Sequence, residues 1–281
     1  MPRYVATDHG LGILQSDGNI GVINTSAAGF DELLMSGLTP EALRELPVVT
    51  EITADGVRLR APVSRPTNLW AVGYGYAEHS AEVGRTDEAD EPPVLFLKAT
   101  SSITGPYDNI EIPEICPEKI DYEGEIAIVI GRAATKISAE VALDYVLGYT
   151  AANDVSARDV QRGRFNGGNP DPSKGKSFDT FTPLGPCICT LDEYDDPNDV
   201  GLATFVDGEQ RQQARSSSLR NSVAKIVAFS SVMTTLTPGD VILTGTPAGV
   251  GHPSNRFLSP GSNVRIEVEG VGAIENNLVS A

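Results

Sequence analysis

Asp121-Tyr-Glu-Gly-Glu-Ile-Ala-Ile-Val-Ile-Gly131 is the stretch whose reading decides the fold. Ile126 to Ile130 is an unbroken, β-rich apolar run closed by Gly131, which predicts a strand. Alternation puts Glu123, Glu125, Ala127 and Val129 on one face and Ile126, Ile128 and Ile130 on the other. Both faces are apolar beyond the acids, so the strand belongs inside the molecule with two carboxylates at its mouth. Like charges this close need a partner if they are buried. A hard divalent cation such as Mg²⁺ is the simplest one, because it takes carboxylate oxygens. The alternative is a strand whose acidic end lies hydrated at the surface.

Outward from this strand, Tyr149 to Asn153 is a second apolar strand, with Asp154 where the chain turns. A carboxylate there can complete an oxygen triad with Glu123 and Glu125, or cap the next helix. Arg158 and Gln161 follow at helical spacing, and an arginine so placed can fork onto a substrate carboxylate or form an ion pair. Gly73-Tyr-Gly-Tyr76 precedes a short helical turn on which His79 and Glu82 stand i, i+3. A carboxylate beside an imidazole is general-base geometry, although a solvated turn with an incidental pair reads the same way. Lys176 in Gly175-Lys-Ser-Phe-Asp179 would stay protonated beside a carboxylate cluster. The glycines of Gly245-Thr-Pro-Ala-Gly-Val-Gly251 allow close backbone approach to a ligand, with Thr246 as a hydroxyl donor. No GK[ST] closes that run, and Gly73 to Gly75 lacks a third glycine, so neither is a nucleotide loop.

The remaining elements frame this centre. Leu11 to Leu14 and Ile20 to Ile23 form a hairpin about Gly18. Short helices follow at Asp31 to Met35 and, capped by Thr39, at Pro40 to Leu46. With a strand at Val57 to Arg60, these make residues 1–64 a small N-terminal α+β domain. Residues 65–281 are read as the larger domain, the one that carries the candidate site residues, after a turn-rich junction at Pro62 to Pro66. Further strands are expected at Asn68 to Val72, Pro93 to Lys98, Ile110 to Ile112 and Gly185 to Thr190, and in a hairpin about Asp207-Gly208. Arg85 to Glu91 and Arg162 to Lys174 read as loops, the former as part of a lid. Ala139 to Val146 is expected to be a helix ended at Gly148. Ser222 to Leu236 is the longest helical pattern, burying Val223, Ile226, Val227, Ser230 and Ser231. Ser262 to Val268 is the last clear strand. The fold class is α+β and β-rich.

The 281 residues carry 21 Lys and Arg against 38 Asp and Glu, a net charge of −17. Such a surface repels phosphate backbones and anionic membranes, so neither nucleic acid nor membrane is an expected partner. Cys116, Cys187 and Cys189 are expected as reduced core residues, and an odd count without a signal sequence argues for the cytoplasm. His9, His79 and His252 are scattered, which excludes the usual zinc-hydrolase motif.

From Asn68 to Asn277 the motifs, in order, resemble those of the fumarylacetoacetate hydrolase family. They are Gly73-Tyr-Gly-Tyr76 with His79 and Glu82, Asp121-Tyr-Glu-Gly-Glu125, and Asn153-Asp-Val-Ser-Ala-Arg-Asp-Val-Gln161. Gly175 to Asp179, Pro238-Gly-Asp240 and Thr244-Gly-Thr-Pro247 complete the set. The resemblance implies a mixed β-roll or sandwich core, a homodimer, and Mg²⁺ or Mn²⁺ on Glu123, Glu125 and Asp154. It implies His79 and Glu82 as the dyad that activates water, Lys176 beside the metal, and Tyr76, Arg158, Gln161 and Thr246 as substrate contacts. Many members read GLNY at residues 73–76, so Gly75 in place of asparagine departs from the pattern at the pocket mouth. The implied reaction is hydrolysis of a C–C bond in an acylpyruvate or other 2,4-diketo acid, in which a pyruvate enolate leaves. Decarboxylation or enol–keto isomerisation of 2-oxo acids in aromatic or sugar-acid catabolism would use the same site.

Overall fold

The computed structural model describes residues 3–86 and 91–281. The quoted stretch forms the strand Gly124–Ile130, buried along its whole length. It lies inside a mixed sheet whose order from edge to edge is Val48–Thr53, Asn19–Ile23, Gly10–Leu14, Arg3–Thr7, Thr182–Thr190, Val146–Asn153, Gly124–Ile130, Val241–Leu243, Leu69–Gly73 and Val94–Leu97. A second antiparallel sheet of Glu209–Arg215, Gly201–Val206, Asn263–Val268 and Gly272–Ser280 carries Ile110–Ile112 at its edge. The expected alternation holds. Ile126, Ile128 and Ile130 share a core with Val264, Ile266, Ile274 and Leu278 of the second sheet. Ala127 and Val129 face the other way, toward Phe30, Leu34 and Leu43 of the short N-terminal helices. The result is the β-rich sandwich expected from the sequence, with helices covering one face.

The first sixty residues include two strands the sequence reading omits, Arg3–Thr7 and Val48–Thr53. The first pairs Arg3 with Cys189 and Tyr4 with Ile188, so the main sheet runs across the boundary placed between 64 and 65. The hairpin about Gly18 and both short helices form as expected, and Thr39 caps the second by accepting from the Ala42 amide. The lid loop expected at Arg85 to Glu91 falls largely on residues 87–90, outside the described residues.

Three expectations need correction. Ala139 to Val146 is not an α-helix. Only a 3₁₀ turn forms, at Ala142–Tyr145, and Val146 already opens the next strand. Gly148 is therefore no helix stop. It lies where a Cβ would stand 2.1 Å from the Cys189 carbonyl oxygen, so close strand packing requires glycine. The loop after Arg162 ends at Asp171, whose carboxylate caps the helix Pro172–Lys176. Finally, Asn263–Val268 is followed by a nine-residue strand, Gly272–Ser280. Asn276 hides it, being a polar residue turned inward, where its amide donates to the Asp108 and Pro106 carbonyls.

Candidate metal centre and active site

The strand Gly124–Ile130 begins among carboxylates because its neighbour, Val146–Asn153, runs antiparallel and ends beside that start. Gly124 pairs with Asn153, and the Asp154 amide donates to the Glu123 carbonyl at 2.8 Å. That register brings Glu123, Glu125 and Asp154 together, with one oxygen from each lying within 4.8 Å of the others. All three are buried.

Buried cations meet them. Lys176, delivered by the helix Pro172–Lys176, donates to Glu123 Oε2 and, at 2.6 Å, to Asp154 Oδ2. Lys98 donates to Asp154 Oδ1 at 2.5 Å and to the Phe181 carbonyl at 2.9 Å. Arg158 Nη2 makes close ion-pair contacts with Asp121 Oδ2 at 2.8 Å and Glu123 Oε1 at 2.7 Å, and its Nε donates to Asp121 at 2.8 Å. Burial alone would raise the Glu123 pKa, but Lys176 and Arg158 outweigh it and hold the carboxyl well below the usual range. Burial lowers the Lys176 pKa, and Asp154 and Glu123 more than reverse that, keeping it an ammonium. For Lys98 burial prevails over Asp154, and its pKa falls.

Glu125 is the exception. The Gly245 amide donates to its Oε2 at 2.6 Å. Burial, then the charges of Asp154 and Glu123, push its pKa well above the ordinary carboxylate value. A divalent cation fits this triad on that observation: the donors are hard oxygens, and Glu125 has no ion-pair partner among the described residues. Glu123, Glu125 and Asp154 would hold it.

A cavity of about 420 Å³ opens onto this floor. Of the expected site residues, Glu123, Lys176, His79, Arg158, Gln161 and Thr246 line it. The helix Ala77–Glu82 brings His79 Nδ1 to 3.3 Å from Glu82 Oε2, while Glu82 Oε1 accepts from the Gly249 amide at 3.0 Å. Glu82 is thus held from both sides, and Nε2 is the imidazole nitrogen left for chemistry.

Two expected substrate contacts are placed differently. Tyr76 does not line the cavity. It is buried, its hydroxyl is unpartnered, and burial together with the Glu125 charge raises its pKa. Thr246 does line the cavity, but its hydroxyl donates to the Gly124 carbonyl at 3.0 Å and accepts from Gln212 at 2.7 Å, so it has no proton for a ligand. The glycines that seemed to await a ligand serve each other: a Cβ on Gly75 would stand 2.3 Å from the Thr244 carbonyl oxygen. No asparagine fits there on this backbone.

Sequence reasoning gives no role to Asp121 or Lys98. Asp121 accepts from Arg158 and from the Gly251 and His252 amides at 2.8 and 3.0 Å, tying the glycine-rich loop to the floor. Its signal was in the quoted stretch, since residues 121, 123 and 125 share a face. Lys98 ends an apolar run, and only the tertiary fold shows that it turns inward.

The model of the fumarylacetoacetate hydrolase C-terminal domain matches residues 68–279. The chain belongs to the fumarylacetoacetate hydrolase family. It is 40% identical over 230 residues to the Xenopus laevis protein named oxaloacetate tautomerase fahd2, mitochondrial, covering 81% of this chain and 70% of that one. A fumarylacetoacetate hydrolase from psychrophilic Exiguobacterium antarcticum superposes with a TM-score of 0.85 at 35% identity, covering 100% of both chains. A 5-carboxymethyl-2-hydroxymuconate delta-isomerase from Mycobacterium smegmatis does so at 0.79 and 36% identity, covering 100% of this chain and 99% of that one. The chain is thus an enzyme of this family, whose members generally use a divalent metal. Among the described residues no helix is long and apolar enough to cross a membrane.

Proposed function

We propose that this enzyme hydrolyses the C–C bond between the 3-carbon and the 4-carbonyl of an acylpyruvate or related 2,4-diketo acid. The observation that carries the reading is His79, held by Glu82, on the wall of a cavity that Glu123 of the Glu123, Glu125 and Asp154 triad also lines. A Mg²⁺ or Mn²⁺ ion on the triad would supply Lewis acidity toward a 2-oxo acid. The protein's own groups account for the proton movements. Glu82 holds His79 Nδ1, so Nε2 takes a proton from water as the water oxygen bonds to the distal carbonyl carbon. The C–C bond then breaks, its electron pair passes into the pyruvate enolate, and the released acid carries the water oxygen. Lys176, fixed as an ammonium between Glu123 and Asp154, offsets the developing negative charge. The proton on His79 is then available to the enolate carbon. The small-molecule substrate, a cytoplasmic setting and a homodimer form part of the same proposal.

The relatives named as tautomerase and isomerase favour a second reading, in which the same imidazole only moves a proton between enol and keto forms. Product analysis separates the two. Metal-stripped protein is assayed with acetylpyruvate and oxaloacetate, with and without Mn²⁺, alongside Glu82→Ala. Metal-dependent acetate and pyruvate that vanish in the variant support hydrolysis. Oxaloacetate tautomerisation or carbon dioxide release, without acetate from acetylpyruvate, contradicts it.

A further inference from the structure

Gly124 stands between two carboxylates of the triad, at a point where the second sheet touches the main one. A Cβ on it would lie 2.0 Å from Thr204 Oγ1 and 3.3 Å from Gln212 Oε1. Gln212 is buried and belongs to the strand Glu209–Arg215. That strand pairs Gln212 with Thr204 but Gln210 with Phe205, so Arg211 is an extra residue. Bulges of this kind re-aim a side chain beside a functional site. Gln212 uses both ends of its amide. Oε1 accepts from the Gly124 amide at 3.0 Å, and Nε2 donates to Thr246 Oγ1 at 2.7 Å and to the Pro247 carbonyl at 2.8 Å. Thr246 Oγ1 donates in turn to the Gly124 carbonyl at 3.0 Å, which closes a ring of hydrogen bonds on that one residue. The loop held in this way carries two amides on which the site depends. The Gly245 amide donates to Glu125 Oε2 at 2.6 Å, and the Gly249 amide donates to Glu82 Oε1 at 3.0 Å. Gly249 also lies against the strand of Gln212, since a Cβ there would stand 2.0 Å from the Arg211 carbonyl oxygen.

We infer that Gln212 is a positioning residue that keeps the acidic triad and the His79–Glu82 pair in one register, fixing Glu125 through Gly245 and Glu82 through Gly249. This rests on the proposed roles of the triad and of the pair. Gln212 does not line the cavity, so it acts through the loop. Without it the Gly124 amide and the Pro247 carbonyl each lose a buried partner, and the loop between Gly245 and Gly249 loses its tie to the second sheet. A primary amide of this length is what the place requires. A methionine fills the space and makes none of the three bonds, and an ionised glutamate can accept from Gly124 but cannot donate to the loop.

The test compares wild type, Gln212→Met, Gln213→Met and Ile274→Val in three measurements: Mn²⁺ affinity by calorimetry on the metal-free chain, kcat at saturating Mn²⁺, and the urea midpoint. Gln213 is exposed on the opposite face of the same strand, and Ile274 is a core residue of the same sheet away from the cavity. Gln212→Met should bind Mn²⁺ roughly 10- to 100-fold more weakly and lose roughly 10- to 100-fold in kcat, the usual effect of removing a group that supports a metal ligand. Gln213→Met should match wild type. Ile274→Val should lower the urea midpoint and keep both Mn²⁺ affinity and kcat. Gln212→Glu at pH 8 is the milder break: its added negative charge would by itself attract the cation, so weaker Mn²⁺ binding in it points to the lost donor bonds. Wild-type affinity in both Gln212 variants, or an equal loss in Ile274→Val, overturns the inference. Full recovery of kcat in Gln212→Met at saturating Mn²⁺ overturns the link to Glu82. Calorimetry does not depend on turnover. Wild type that releases no acetate from acetylpyruvate would contradict the proposed reaction, and kcat would then be read from oxaloacetate tautomerisation while Mn²⁺ affinity still decides the role of Gln212.

Discussion

The floor of the cavity and its rim are built in opposite ways. The floor gathers around the adjoining ends of two strands in the middle of the main sheet, and Glu123, Glu125, Asp154, Lys98, Lys176 and Arg158 are all buried. The rim stands on the six-residue helix Ala77–Glu82, where His79 is buried and Glu82 is partly exposed. Buried ions must be matched by partners or they unfold the protein. The Glu82 carboxylate at the rim stays partly hydrated while His79 and the Gly249 amide hold it in place. The floor is therefore where stability and cation binding are joined, and the rim is where proton transfer and selectivity can change without cost to the fold.

The sharpest way to break this contrast is on the floor. Asp154→Asn leaves Lys98 and Lys176 buried against a neutral amide. Removing one partner of a buried ion pair typically costs about 3–5 kcal/mol, and a urea titration of metal-free protein should show a loss of that size together with loss of activity. A loss below 1 kcal/mol would mean the lysines relax to solvent. At the rim the pattern should invert. His79→Ala and Glu82→Gln should lower kcat by about 10²–10⁴, the usual worth of a positioned base, with the urea midpoint nearly unmoved. A midpoint that falls as far as in Asp154→Asn would erase the distinction.

Titration sharpens the floor itself, because its two glutamates run in opposite directions. The Glu123 pKa is lowered in the folded state, so its contribution is present above the unfolded glutamate value and is lost as pH falls. The Glu125 pKa is raised, so what the folded state gains from its proton is present at acid pH and is lost as pH rises from the unfolded value through the folded one. Metal-free Glu125→Gln should thus be more stable than wild type at pH 8, and the two should converge near pH 4, where wild-type Glu125 carries a proton. Urea midpoints at both pH values check this. A variant less stable at pH 8 would show that Glu125 already has adequate compensation. The smallest effect belongs to the exposed pair of Arg132 and Glu41, where Glu41→Gln should leave the midpoint unchanged.

What the sequence disclosed follows the same division. The floor was legible because alternation is strict in a buried strand: Glu123 and Glu125 had to share a face, and Asp154 had to lie where the neighbouring strand ends. The His79–Glu82 contact was legible because i, i+3 spacing holds on any helical turn. Thr246 and Gly75 misled, since a hydroxyl and a glycine can serve backbone as well as ligand and only tertiary contacts say which. Gly148 and Asn276 misled for a related reason. Each breaks a local pattern, one by resembling a helix stop and the other by placing an amide on an apolar face, to meet a demand from a distant strand or turn. Lys98 left no local signal at all.

The division is tested most directly by Mn²⁺ affinity, measured by calorimetry on metal-free wild type, Glu125→Gln and Glu82→Gln. The account predicts that Glu125→Gln loses most of the affinity and that Glu82→Gln binds as wild type does. Equal affinity in all three proteins, or a loss in Glu82→Gln as large as that in Glu125→Gln, would contradict it.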